Sequence, residues 1–265
     1  MNLSISPGKN NVGAYINDIN LKSLDQEQAT EIKKILNQYG VIFIKEQNLD
    51  PETYQNFAKT IGQPVVYPRL KGLDEKFPFI NVIERKPDDK NLSFGSSWLH
   101  QDTSYLANDR PRYTMLMGME IPVNQGNTIF SSGFNAYDKL PDDIKKEIQN
   151  KKITLGYKTG SYSPSKFFKE HHHTNKPFNL VHTNDAGLTG LYFPFLQVFG
   201  GLEKELFEKL KNHILKDEFV YHHDWKDGDV VISEQWLSIH KRWAFNKMDK
   251  RILHRIGLDY SKCLH

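Results

Sequence analysis

Cysteine is all but absent from this 265-residue chain. Its single thiol, Cys263, lies near the C-terminal end, which excludes a disulfide framework and any zinc site built from several thiolates. Long apolar runs are also missing. No stretch approaches the roughly 20 residues that a membrane-spanning helix needs. Residues 1–8 contain no basic segment leading into an apolar one, so no secretory signal is expected and a reducing cytoplasm is the default setting. Charge of one sign is lacking as well. Thirty-five Lys and Arg stand against 32 Asp and Glu, for a formal net charge of +3. Runs such as Lys145-Lys146-Glu147 mix the signs, which argues against a nucleic-acid stripe and leaves a small molecule as the expected partner. No internal repeat or linker divides the sequence, and its length suits one domain over residues 1–265, with a homo-oligomer compatible.

What is present is a chain of short strands with a few helices. Asp25 and Gly40 bracket a helical pattern over residues 26–39, and Asp50-Pro51 opens a second that ends near Gly62. A third, over residues 203–215, carries Leu206, Phe207, Leu210 and Ile214 at helical spacing. Short helices are expected near Phe134 and over residues 141–150. Strands are predicted at residues 12–19, 41–44, 79–83, 113–119, 128–130, 179–182, 190–193, 219–225, 230–232 and 252–258. Asp227-Gly228-Asp229 reads as a hairpin turn joining the strands on either side of it. The fold class that follows is mainly β with peripheral helices, a double-sheet jelly roll. Met115, Met117 and Met119 read as core filler. Residues 156–176 are polar and aromatic, which suits a mobile lid, with His171-His172-His173 as a solvated tip.

The stretch with chemical promise is Trp98-Leu99-His100-Gln101-Asp102-Thr103. On an extended strand His100 and Asp102 leave the same face, so an imidazole and a carboxylate stand side by side. That is half of a metal site, and His240 is the downstream candidate for the rest. Two His and one carboxylate leave open positions on a metal, the arrangement of non-haem Fe(II) oxygenases. A His-x-Asp pair alone is unspecific.

The ordered set is specific. Trp98-x-His100-x-Asp102-Thr103, Gly126-Asn127-Thr128-Ile129-Phe130, the segment from Asp227 to Ile232, His240, and Arg251 with Arg255 resemble the Fe(II)/2-oxoglutarate-dependent taurine and aryloxyalkanoate dioxygenases. Gly40-Val41-Ile42-Phe43 leading into Asp50-Pro51 is similar too, so the likeness spans nearly the whole chain. It implies a double-stranded β-helix core, the cofactor Fe(II), and the cosubstrates 2-oxoglutarate and O2. The implied reaction hydroxylates a small, anionic organic substrate and releases succinate and CO2. Carried over by position, the likeness makes His100, Asp102 and His240 the iron ligands. Arg251, eleven residues beyond His240 (251 − 240), and Thr128 match the pair that takes the distal carboxylate of 2-oxoglutarate, for which a planar guanidinium is suited. Arg255 matches a substrate-facing position and Tyr67 a pocket aromatic.

On a strand, residues 251, 253 and 255 share a face, so both arginines are expected to point inward and each needs an anion. For Arg255 that anion is an acidic group of the substrate or a protein carboxylate. His254 alternates outward as a structural residue, His182 has no assigned chemistry, and His222 and His223 read as surface residues. One departure bears on the substrate. Gly62-Gln63-Pro64-Val65-Val66-Tyr67-Pro68 lacks the His that taurine-specific relatives carry there, which points away from taurine, while Arg69 and Lys71 add positive charge nearby. Asp102 excludes the halogenating relatives, which need that coordination position empty. The rival readings are desaturation or isonitrile formation on the same cofactor, a zinc-dependent hydrolase on the same triad, and a non-catalytic jelly-roll binding protein. Arg251 and Thr128 discriminate, since hydrolysis has no use for a 2-oxoglutarate clamp.

Overall fold

The computed structural model describes residues 3–67, 71–85, 99–102, 104, 110–156, 177–246 and 248–260. Trp98, Thr103, Arg69, Cys263 and residues 157–176, with the His171–His173 run and the expected lid, lie outside the described residues.

Two helices form where their ends are written in the sequence. Helix α1 (Gln26–Tyr39) begins with a reciprocal capping box between Asp25 and Gln28 and stops at Gly40, whose φ of 72° is left-handed. Helix α2 (Pro51–Ile61) has Asp50 accepting from the Thr53 amide and proline in its first turn. Ala29, Ile32, Ile35 and Leu36 of α1, and Tyr54, Phe57, Ala58 and Ile61 of α2, are buried.

The strands are β1 (Ser4–Pro7), β2 (Ala14–Asn17), β3 (Val41–Ile44), β4 (Pro64–Val65), β5 (Asn81–Arg85), β6 (Pro111–Glu120), β7 (Thr128–Ser132) and β8 (Lys152–Leu155). They continue with β9 (Phe178–Asn179), β10 (Val181–Thr183), β11 (Thr189–Leu191), β12 (Val198–Gly200), β13 (Val220–His223), β14 (Val230–Glu234), β15 (Ser238–Arg242) and β16 (Arg251–Tyr260). The larger sheet runs β1-β2-β3-β14-β6-β16-β4, with β5 also on β16, and a smaller one runs β13-β7-β15. These two sheets make the expected jelly-roll core.

Alternation divides the large sheet's side chains between two environments. Ile42, Ile44, Met115, Met117, Ile232, Ile256 and Leu258 pack in one cluster with α1 and α2. Val41, Phe43, Leu116, Val231 and Leu253 point the other way and meet Phe130 and Trp225. Burying one such side chain fully contributes about 1.5–3 kcal/mol, and central strands apolar on both faces are what a sheet covered on both sides requires. Met119, by contrast, is 36% exposed, so only two of the three methionines fill the core.

Three further expectations are corrected. The turn at residues 227–229 does not close a hairpin: β13 pairs with β7, whereas β14 pairs with β3 and β6. The turn instead crosses between sheets, docked by the Asp229 carboxylate, which accepts from the Glu46 and Lys226 amides, and by the Gln47 amide, which donates to the Gly228 carbonyl. His223 is no surface residue. It is fully buried and stacked on Phe43, because the inward positions of β13 face the large sheet, while His222 stays exposed. His100 lies not on a strand but in a single bridge to His240. His254 does face away from the barrel interior, yet it is only 7% exposed.

Candidate active site

The site lies between the two sheets. His240 sits mid-strand on β15, with Phe130 of β7 as its cross-strand neighbour, and the His100 and His240 backbones exchange two hydrogen bonds of 2.9 Å. Irregular backbone between two sheets needs partners other than a ladder. Here glutamines provide them: Gln235 Oε1 accepts from the Asp102 amide at 2.9 Å, and Gln197 both accepts from the Gln101 amide and donates to its carbonyl at 3.2 Å. Gln101 Nε2 in turn donates to the Ser238 carbonyl. The segment is held in place by side chains.

His100 Nε2 lies 3.6 Å and His240 Nε2 4.0 Å from the same oxygen, Oδ1 of Asp102. All three donor atoms fall within 4.8 Å of one another, a group that can hold a metal ion. With ligand bonds of about 2.1 Å, neighbouring octahedral donors are about 3 Å apart and opposite ones about 4.2 Å, so these separations need only a small closure around an ion. The other carboxylate oxygen is already engaged: Thr114 Oγ1 donates to Oδ2 at 3.1 Å, and Arg255 Nη1 stands 3.4 Å from it. Oδ1 is therefore the oxygen presented with the two imidazoles.

Electrostatics favour the ligating forms. Burial opposes charge on Asp102, but Arg255, the hydrogen bond from His100 and the nearby imidazoles outweigh it and hold the carboxyl well below its usual range. Burial, then the adjacent His100, pushes His240 down to about 3, so this imidazole is neutral at physiological pH.

Arg255 and Tyr67 form the roof of this end. The guanidinium lies 4.0 Å over the Tyr67 ring, and the phenol oxygen is 3.5 Å from Thr114 Oγ1. Tyr67 fits because residue 257 is glycine: a Cβ there would come within 2.7 Å of the ring. The protein-carboxylate alternative for Arg255 thus describes a contact that the structure contains.

Arg251 and Thr128 occupy the other end. Arg251 is 4% exposed, its Nε donates to the Gly126 carbonyl at 3.0 Å, and its Nη2 is buried with no hydrogen-bond partner among the described residues. Burial and the neighbouring Arg242 push it down to about 9, which still leaves it cationic at neutral pH. Thr128, in register with Arg242 across β7 and β15, accepts at Oγ1 from Trp225 Nε1 at 2.8 Å. A buried arginine with a spare donor, anchored two residues before a buried hydroxyl, fits a carboxylate supplied from outside.

The model of the taurine catabolism dioxygenase TauD/TfdA family matches residues 4–256. This chain belongs to that family. Membership and the three-donor site make it an Fe(II)- and 2-oxoglutarate-dependent dioxygenase that uses O2, and the hydrolase and binding-protein readings lapse. Among its relatives, an alkylsulfatase of Acinetobacter baylyi is 26% identical, over 93% of this chain and 82% of that protein. An alpha-ketoglutarate-dependent 2,4-dichlorophenoxyacetate dioxygenase of a Burkholderia species is 23% identical, over 88% of this chain and 86% of the relative. In fold, the dioxygenase resembles AAD-2, solved with Mn(II) and N-oxalylglycine, with a TM-score of 0.86 at 20% identity and full coverage of both chains.

Several residues of the dioxygenase's site escaped the sequence reading. Thr114, Gln101, Gln197, Gln235 and Trp225 belong to no recognisable spacing, since each acts through a contact made by folding. Arg242 had a signal: it stands two residues after His240 and so shares its face of β15.

Proposed function

We propose that the enzyme hydroxylates a small anionic organic molecule, with His100, Asp102 and His240 as the iron ligands. In this reading His100 Nε2, His240 Nε2 and Asp102 Oδ1 hold Fe(II), and Arg251 with the Thr128 hydroxyl takes the distal carboxylate of 2-oxoglutarate. Bound iron supplies the oxidising chemistry: 2-oxoglutarate, O2 and a substrate C–H give succinate, CO2 and the hydroxylated product. The chain's own residues bind and orient. Thr114 and Arg255 hold Asp102 so that one oxygen faces the metal, and Arg251 sets the direction from which the oxo acid enters. With Tyr67 as a wall, the Arg255 guanidinium supplies the positive end of the substrate pocket. The observation that carries the reading is the pairing, across one barrel interior, of a three-donor site with a buried arginine that has a spare donor.

The anionic class is supported by Arg255 and by the relative whose name states action on 2,4-dichlorophenoxyacetate, a carboxylate. We take the chain as a single domain in the cytoplasm, a reducing compartment that keeps iron ferrous. No helix among the described residues is long and apolar enough to cross a membrane. The test is Fe(II)-dependent succinate release across sulfate esters, sulfonates, aryloxy acids, amino acids and other small carboxylates, with mass analysis of the product. Uptake of one oxygen atom by an anionic substrate is expected. A neutral molecule as best substrate would overturn the anionic pocket, and loss of two hydrogens would replace hydroxylation by desaturation.

A further inference from the structure

Trp225 lies between the β13 strand and the turn that crosses to the other sheet, and it is only 6% exposed. Its indole N–H can donate but not accept. The group it meets, 2.8 Å away, is Thr128 Oγ1. A threonine hydroxyl has one proton and two lone pairs, so at this contact Thr128 can only accept, and its proton must point elsewhere. Arg251 is anchored by Nε to the Gly126 carbonyl, two residues before Thr128, and its Nη2 is buried with no hydrogen-bond partner among the described residues. In the reading given above, the Thr128 hydroxyl and this guanidinium are two donors for one acceptor.

The indole is not free to turn away. The His223 ring meets it edge-on, with centroids 4.7 Å apart and planes at 87°. His223 is itself stacked on Phe43, at 4.8 Å and 11°, and its Nε2 stands 3.6 Å from Asp229 Oδ2. Asp229 docks the inter-sheet turn described above. Fixed backbone, Asp229, His223, Trp225 and Thr128 thus form one buried series ending at the hydroxyl.

We propose that Trp225 is a positioning residue: by filling the acceptor site of Thr128 it turns the threonine proton toward the distal carboxylate of the 2-oxo acid. The inference rests on the reading of Thr128 given above and adds what makes that hydroxyl a donor. Without the indole N–H the hydroxyl can spend its proton on protein acceptors, and the carboxylate keeps only the arginine.

The test measures binding of N-oxalylglycine, a dicarboxylate, and of pyruvate, which lacks the distal carboxylate, to the Mn(II)-loaded enzyme by calorimetry. Trp225→Phe should weaken N-oxalylglycine about three- to tenfold, the worth of one neutral hydrogen bond, and leave pyruvate unchanged. In a Thr128→Val background Trp225→Phe should have no further effect on N-oxalylglycine, since the two residues act as one unit. Should Trp225→Phe fail to fold, β-(3-benzothienyl)alanine at position 225 keeps the ring and removes only the N–H; it should give the same loss. Equal weakening of pyruvate, or losses that multiply in the double variant, would overturn the positioning role while leaving Thr128 in place. No effect of Thr128→Val alone would overturn the reading of Thr128 itself, and Trp225 with it.

Discussion

Arg251 and Arg255 stand four residues apart on one strand, with side chains on the same face, and they meet opposite environments. Along β16 they are separated by about 13 Å of strand. Arg255 has a buried carboxylate 3.4 Å away and an aromatic ring beneath it. Arg251 has a second arginine for a neighbour, one backbone carbonyl, and a buried donor with no partner among the described residues. The same side chain is therefore internally compensated at one end of the site and uncompensated at the other. In the proposed roles the compensated charge holds a metal ligand in place and the uncompensated one receives an anion, whose arrival offsets the cost of its burial.

The largest expected effect removes what both ends serve. His100→Ala, Asp102→Ala or His240→Ala should abolish succinate release and iron retention while the protein still melts cooperatively. Wild-type iron content in any one of them would remove that residue from the ligand set.

The next test separates the arginines directly. Arg255→Met leaves Asp102 buried without its cation, and unfolding of the metal-free protein should become easier by about 3–5 kcal/mol. Arg251→Met removes a like-charge neighbour of Arg242 and should cost under about 1 kcal/mol or stabilise, while weakening N-oxalylglycine binding about 10- to 100-fold. Arg251→Lys keeps the charge but loses the fork, and should recover only part of that binding. Equal destabilisation by the two methionine variants, read by urea unfolding, would erase the contrast.

Thr114→Val sharpens the compensated end. It removes the hydroxyl that donates to Asp102 Oδ2 and should lower metal affinity about tenfold, the smaller end of the usual range for groups that orient ligands. Competition with a chelator reads this without turnover, and an unchanged affinity would leave Arg255 as the group that orients the carboxylate.

The smallest effect is a pH slope away from both ends. Burial, then Arg110 and Arg112, pushes His182 down to about 4. Its unfolded value is about 6.5, so between these values the unfolded chain binds the proton and the folded one does not. Stability should therefore fall as pH drops from about 6.5 toward 4. His182→Phe, which keeps a ring against Trp236, should flatten that part of the slope in urea titrations at several pH values. An unchanged slope would assign it to another group.

Much of the frame was legible because its signals are local. The caps of α1 and α2 and the doubly apolar β3 specify their own conformation through neighbours a few residues away. The ordered set of motifs that includes His100, Asp102, Thr128, His240, Arg251 and Arg255 was enough to identify the family. What failed was pairing across distance. The sequence around Asp227-Gly228-Asp229 favours a turn but cannot say whether the strands beside it join each other or different sheets; the docking of Asp229 on the Glu46 amide decides that. His223 looks like any polar strand residue until a second sheet covers it.

The chain's own sequence thus determined its helices, most of its strands, its family and, of the residues that meet in the site, the three metal-binding candidates, both arginines, Thr128 and Tyr67. Tertiary structure decided which anion each arginine has, which oxygen of Asp102 is left to face the two imidazoles, and that Thr128 receives a hydrogen bond from Trp225. The physical reason is range. Turns, caps and alternation are set by bonds within a few residues, whereas compensation of a buried charge or orientation of a hydroxyl depends on atoms brought together from far along the chain, as with Asp102 and Arg255, 153 residues apart (255 − 102), and Thr128 and Trp225, 97 apart (225 − 128).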